Sequence, residues 1–382
     1  MRGTGDGLME NGDDPTSVAD NRVQTHCVTP DHLPVFSASL KRKLHFPLSW
    51  TPGAGDVSAW KASARTKLRA LTLQQLDNTP FTPSTMASKD RGSHVAHKIA
   101  FNLTADSRVQ ALLLVPKGEG PFPAAIFYHD HGSQFDIGKE KLVQTWDDDD
   151  RLTSASAWTA RFFSGRFPGD ELARHGYVVL VTDALGWGDR GPLTYDGQQA
   201  LAANLFNMGS SLAGLMALED TRAADFLSSL RQVDSTRVAA IGFSMGAFRA
   251  WQAAALSDTI KAVIAVNWMA TAEGLMEPGN NHCRGGSAWH MTHPGLMQHM
   301  DYPDVASLCA PNPMLIFAGE QDTLFPLASV KTAFQKMSGV WDAWGAGHGF
   351  ESKIWPGGHA FEAVQQDYAY DWLDRQFDLA KT

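Results

Sequence analysis

The chain is predicted to be an α/β protein with a mainly parallel, twisted sheet covered by helices on both faces. Three observations point there. Short apolar runs alternate with amphipathic segments through most of the 382 residues, the pattern of strands that are buried on both faces and joined by helical crossovers. One strand-to-helix junction carries Gly242-Phe243-Ser244-Met245-Gly246, a G-x-S-x-G turn that needs small residues on either side of its serine. Charged and histidine-bearing loops follow the apolar runs, where an open α/β sheet places its ligand-handling residues.

The elements follow in order. Residues 1–30 are polar and rich in Gly, Asp and Asn, and are expected to be disordered. They contain no apolar signal-like core, and no run approaches the length of a membrane span, so a cytoplasmic protein without membrane association is expected. Residues 31–95 are expected to form an N-terminal helical extension. Within it, 56–76 has helical periodicity, with Trp60, Ala64, Leu68, Leu71 and Leu76 sharing a face. Residues 96–382 are expected to be the main domain. Its strands are read at 99–103 and 109–115 (an antiparallel pair), 124–128, 177–182, 237–241, 261–266, 314–318 and 350–355. Helices are read at about 168–175, 200–230, 245–257, 326–337 and 360–378. Two insertions, at about 133–165 and 268–311, are expected above the strand C-termini, where long ordered loops shape binding sites.

Composition narrows the function classes. A formal charge of −9 argues against a general nucleic-acid-binding surface. Three cysteines, Cys27, Cys283 and Cys309, have no paired spacing and suggest no disulfide framework. The oligomeric state is left open.

The junction at Ser244 carries the chemistry. A sharp turn there lifts the hydroxyl above the sheet, and the helix behind it turns its N-terminal amides toward the same point. A serine nucleophile needs a base, and the base needs an orienting acid. Downstream, Asp322 follows the strand at 314–318 and His359 follows the strand at 350–355, in the chain order Ser, acid, His that suits this topology. Glu320 is the local competitor for the acid. His348 is the competitor for the base, but it precedes its strand. The expected oxyanion donors are the backbone N–H of Met245 and one from the loop Tyr128-His129-Asp130-His131-Gly132-Ser133-Gln134, with His131 or a neighbour supplying it. The rings of His129 and His131 are read as shaping that loop by hydrogen bonding. His129, Trp187 and Trp268 are candidate substrate-pocket residues.

With Asp183-Ala184-Leu185-Gly186-Trp187-Gly188, these residues resemble the α/β-hydrolase superfamily over about residues 95–380. Within it the chain is similar to the dienelactone hydrolase and acetyl xylan esterase-like branch. Gly319-Glu320-Gln321-Asp322 with Phe325-Pro326, and the run from His293-Pro294-Gly295-Leu296 to Asp301-Tyr302-Pro303-Asp304, carry that narrower likeness. The resemblance implies carboxylic ester hydrolysis through an acyl-serine, with no cofactor, on an esterified carbohydrate or another small ester. The chain departs from dienelactone hydrolases proper, which are shorter and use a cysteine nucleophile. A serine peptidase of prolyl-oligopeptidase type and an inactive hydrolase-fold binding protein are the alternatives.

Other clusters read as structural. His282, Cys283, His290, His293 and His299 crowd one segment without clean metal-ligand spacing, and no metal is expected. Asp147 to Asp150 reads as a solvated acidic loop, and Asp183 as a brace for the turn it opens. Trp146, Trp158 and Trp289 could line a pocket or pack loops.

Overall fold

The computed structural model describes residues 27–53, 55–280 and 287–379. The expectation of disorder therefore falls almost wholly outside the described residues, as do His282 and Cys283.

One nine-stranded sheet organises the chain, in the order β1-β2-β3-β5-β4-β6-β7-β8-β9. The strands are β1 (Ser84–Asp90), β2 (His94–Thr104), β3 (Ser107–Pro116), β4 (Phe122–Tyr128), β5 (Val178–Thr182), β6 (Val233–Phe243), β7 (Ala262–Val266), β8 (Met314–Gly319) and β9 (Phe350–Trp355). The pairs from β1 through β3 to β5 are antiparallel. Every pair from β5 through β4, β6, β7 and β8 to β9 is parallel. The parallel strands all end on one edge, so the loops after β4, β5, β6, β8 and β9 meet there.

Eleven α-helices are described. These are α1 (Ser37–Lys41), α2 (Val57–Leu71), α3 (Asp149–Phe162), α4 (Pro168–Arg174), α5 (Tyr195–Asn207), α6 (Leu212–Ser229), α7 (Met245–Leu256), α8 (Ala272–Leu275), α9 (Tyr302–Ser307), α10 (Leu327–Ala343) and α11 (Ala363–Gln376). Strand alternation divides the core between the two sheet faces. Ala124, Ile126 and Tyr128 of β4 pack with residues of α2, α6, α7, α9 and α10. Ala125 and Phe127 pack on the other face with residues of α3, α4 and α11. No single helix among the described residues is long and apolar enough to cross a membrane.

Several expectations are corrected. Residues 84–90, inside the segment read as helical, form edge strand β1. Its sequence, Ser-Thr-Met-Ala-Ser-Lys-Asp, is exposed almost throughout, so it lacks the alternation that marks a half-buried strand. α2 ends at Leu71, and Leu76 is 90% exposed instead of sharing its face. The helix read across 200–230 is two helices, broken where Gly209 takes φ +77° and Ser211 caps the second through the Gly214 N–H. The acidic run is not a loop. The Asp148 carboxylate caps α3 by accepting from the Arg151 N–H, and Asp149 and Asp150 occupy its first turn, where the helix dipole favours negative charge.

Candidate active site

Ser244 sits between β6 and α7 with φ 55° and ψ −126°, a backbone conformation that costs energy for any residue with a Cβ. The surroundings hold it there. Its N–H donates to the Val266 carbonyl at 2.8 Å, and its own carbonyl accepts from the Ala247 and Phe248 N–H groups. The flanking glycines are required by space. A Cβ at Gly242 would lie 2.0 Å from the Gly246 carbonyl oxygen, and one at Gly246 would lie 2.0 Å from that of Tyr128. The elbow is thus pressed against the end of β4, where the histidine-bearing loop begins.

The residues expected downstream reach the same point. His359 Nε2 lies 2.8 Å from Ser244 Oγ, and His359 Nδ1 lies 2.6 Å from Asp322 Oδ2. The Asp322 side chain is buried, while the imidazole keeps 18% of its surface exposed. The other oxygen, Asp322 Oδ1, accepts from the Leu324 N–H at 2.9 Å. The two loops are zipped together by backbone bonds from the Glu320 N–H to the Trp355 carbonyl and from the Gln321 N–H to that of Gly357, both 2.8 Å. Asn267, in the left-handed region at φ 56°, donates its side-chain amide to Gly358 O at 3.4 Å and Ala360 O at 3.0 Å. It therefore grips the backbone on both sides of His359. The rings of Phe243 and Phe325 flank the imidazole. His348 precedes β9 in a short helical turn, and neither it nor Glu320 enters this relay.

On the other side of Ser244, no acceptor among the described residues takes the backbone N–H of Met245 or of His131. The imidazoles of this loop act as braces. His129 Nδ1–H donates to the Asp130 carbonyl at 2.8 Å, and its Nε2 accepts from the Ala184 N–H at 3.0 Å. Burial, with help from Arg249 and Lys141, holds its pKa well below the ordinary histidine value. His131 pairs through Nδ1 with the Gly132 carbonyl and through Nε2 with the Gln198 amide group. Burial brings its pKa down to about 4. Tyr195 stacks on its ring at 5.7 Å.

The three candidate pocket residues are all buried: His129 and Trp187 are 0% exposed and Trp268 1%. Trp187 donates its indole N–H to the His131 carbonyl at 2.9 Å. Trp268 packs among Phe248, Trp251, Tyr302 and Phe325. The described histidines of the crowded segment are also spread apart. His290 contacts Leu185 O and His293 contacts Gln252 Oε1. Burial holds their pKa values down to about 3 and about 4 respectively. Among the described residues, no group of three His, Cys, Asp or Glu forms a metal-ligand cluster.

Sequence reasoning missed the buried charges behind the loop. Lys139, Glu140 and Lys141 are consecutive and nearly inaccessible, an arrangement that such residues adopt only when paired. Lys139 Nζ meets Asp183 at 2.7 Å, Asp189 at 2.6 Å and Glu140 at 2.9 Å. Burial alone lowers its pKa, but the three carboxylates outweigh that and hold it above the ordinary lysine value. Asp183 also accepts the Lys139 and Asp189 backbone N–H groups, which makes it the brace its position suggested. Nothing in Gly-Lys-Glu-Lys distinguishes these residues from a solvated surface turn.

The sequence profile described as the dienelactone hydrolase family matches residues 167–374. A Bacillus subtilis (strain 168) protein, YtaP, provisionally named a hydrolase, is 28% identical over 316 residues, covering 82% of this chain and 99% of its own length. Among solved structures, a Bacteroides fragilis NCTC 9343 protein provisionally named an acetyl xylan esterase superposes with a TM-score of 0.65 at 14% identity, covering 87% of this chain and 86% of that one. A glucuronoyl esterase from Solibacter usitatus gives a TM-score of 0.63 at 15% identity, covering 88% and 98%. At these identities the structural likenesses establish the shared fold. The profile spans more than half of the chain, which therefore belongs to the dienelactone hydrolase family of α/β-fold hydrolases.

Proposed function

We propose that the chain is a serine carboxylic-ester hydrolase acting through an acyl-serine intermediate, with Ser244, His359 and Asp322 as its catalytic triad. The observation that carries this reading is the unbroken relay from Ser244 Oγ through the imidazole to Asp322, at 2.8 and 2.6 Å. Asp322 accepts the Nδ1–H of His359, which leaves Nε2 free to accept the serine proton. Ser244 Oγ then attacks the ester carbonyl carbon. The carbonyl π electrons move to oxygen, and the oxyanion is held by the Met245 and His131 N–H groups. On collapse, the alcohol leaves with the proton from His359 Nε2. Water, deprotonated by the same nitrogen, adds to the acyl-serine and releases the acid.

The substrate class we favour is an acetylated or otherwise esterified carbohydrate, or a small ester of similar reach. The names of the two esterase neighbours support it by analogy of fold. Replacing Ser244 by Ala is expected to lower kcat on p-nitrophenyl acetate by at least about 10⁴-fold with the circular dichroism spectrum unchanged. A Ser244→Ala protein that retains turnover sinks the proposal. Parallel assays on an acetylated xylo-oligosaccharide, a methyl glucuronate ester and a peptide anilide separate the ester classes from amide cleavage.

A further inference from the structure

We propose that Lys141 is a positioning residue for the oxyanion donor, its ammonium group holding the carbonyls of Asp130 and His131 so that the His131 N–H is aimed into the site. The inference rests on the ester-hydrolase reading above. Lys141 is 0% exposed. Its Nζ lies 3.3 Å from Asp130 O and 2.9 Å from His131 O. The nearest carboxylate oxygen, Asp130 Oδ2, is 3.4 Å away, and the Trp158 ring lies under the ammonium at 4.6 Å. Each carbonyl has a second donor: His129 Nδ1 at 2.8 Å for Asp130 O and Trp187 Nε1 at 2.9 Å for His131 O.

Peptide geometry supplies the consequence. Asp130 O and the His131 N–H belong to one planar trans peptide group, so they point in opposite directions. Donors that draw this carbonyl toward Lys141 turn the N–H to the far side, where no acceptor among the described residues takes it. Loading the oxygen with hydrogen bonds also polarises the peptide and strengthens its N–H as a donor. A cation behind the peptide acts in the same direction, at a place where low dielectric leaves it weakly screened. A methionine could fill the space over Trp158, but it could hold neither carbonyl.

The test compares Lys141→Met and Trp187→Phe with the parent enzyme. The measurements are kcat and KM on p-nitrophenyl acetate, and the inhibition constant of an aryl trifluoromethyl ketone, which adds to the serine and places an oxyanion in the hole. Lys141→Met is expected to lower kcat about 10- to 100-fold, somewhat less than deletion of a direct oxyanion donor. KM should stay within about threefold, and ketone affinity should fall in proportion to kcat/KM. Trp187→Phe keeps an aromatic ring and removes a hydrogen bond from the His131 carbonyl, whose peptide carries the Gly132 N–H, so it should move the same two readouts less than Lys141→Met. A folded Lys141→Met enzyme with kcat and ketone affinity within about twofold of the parent overturns the proposal. So does a fall in kcat with unchanged ketone affinity. If Lys141→Met does not fold, Lys141→Gln, uncharged and one bond too short to reach both carbonyls, takes its place, and kcat and ketone affinity within about twofold of the parent in that variant overturn the proposal. In each case an inactive Ser244→Ala enzyme shows that the ester-hydrolase reading survives, whereas an active one removes that reading itself.

Discussion

The two sides of Ser244 are built differently. Toward β8 and β9, the groups that meet it are side chains: an imidazole with 18% of its surface open and one carboxylate, carried on loops zipped by backbone hydrogen bonds. Toward β4 and β5, the oxyanion donors we propose are backbone N–H groups, of Met245 and His131, which no acceptor among the described residues takes. The side chains there, His129, Asp130, Lys139, Lys141 and Asp183, are turned inward and nearly inaccessible. Proton transfer needs a titratable ring that can move slightly and exchange with solvent. Holding a developing negative charge needs fixed dipoles that do not reorganise. One side therefore keeps its chemistry in a few side chains, and the other spends a network of buried charges on fixing a loop.

Substitutions can break or sharpen that contrast, and the largest effect is expected on the relay side. Asp322→Asn keeps the size of the side chain but gives the imidazole the wrong partner. It should lower kcat by about 10⁴-fold with little change in thermal stability. A loss below about tenfold would mean that the acid is not the orienter.

Gly246→Ala attacks the contact between the two sides. Its Cβ would lie 2.0 Å from Tyr128 O and 3.1 Å from His129 O, both backbone atoms, so the elbow or the end of β4 must shift. A loss of roughly 2–4 kcal/mol of stability is expected in urea unfolding, with activity falling alongside. A variant as stable and as active as the parent would show that the two sides are not in register.

The buried histidines should also announce themselves in pH. His131, His290 and His293 have folded-state pKa values of about 4, 3 and 4, lowered chiefly by burial. The unfolded chain therefore binds more protons below the ordinary histidine value of about 6.5. Stability is full above that pH and falls as pH drops toward 4, by on the order of 1.4 kcal/mol per pH unit for each histidine. Asp301, raised by burial to about 6, works in the opposite sense between its unfolded value and 6, and offsets part of the loss. Urea unfolding at pH 7.5 and pH 5 measures the balance, and equal stabilities would contradict burial of these rings in neutral form.

The smallest effect is expected at Asn267. Asn267→Gly keeps the left-handed backbone accessible and removes the amide that grips Gly358 O and Ala360 O. A loss of about 1 kcal/mol and a drop of a few fold in kcat are expected. Unchanged kcat would show that the zipped backbone alone positions His359.

How much could be read in advance follows the same division. The strands from β2 onward that the sheet buries, the elbow at Ser244, and Asp322 and His359 were all legible, because apolar runs and loop side chains at strand ends are written residue by residue. β1 was not, since an exposed edge strand carries no burial pattern. The Asp148 cap was not, since an acidic run reads as solvated until a helix is seen to start there. Trp187 and Trp268 are large aromatic rings that suit a pocket wall or a core equally, and only packing shows that both are covered.

By itself, the chain's order of residues determined the alternation of strands and helices, the small residues that let an elbow form, and the sequence of hydroxyl, carboxylate and imidazole along the fold. Those are local properties, set by periodicity and by the space around one turn. The tertiary structure alone decided that three consecutive charged residues would lie under the loop after β4, and which way that loop's peptide groups would face. A backbone amide carries no residue code of its own. Its direction is set by whatever closes on its carbonyl, and here that includes a lysine ten residues or more along the chain and an indole more than fifty away.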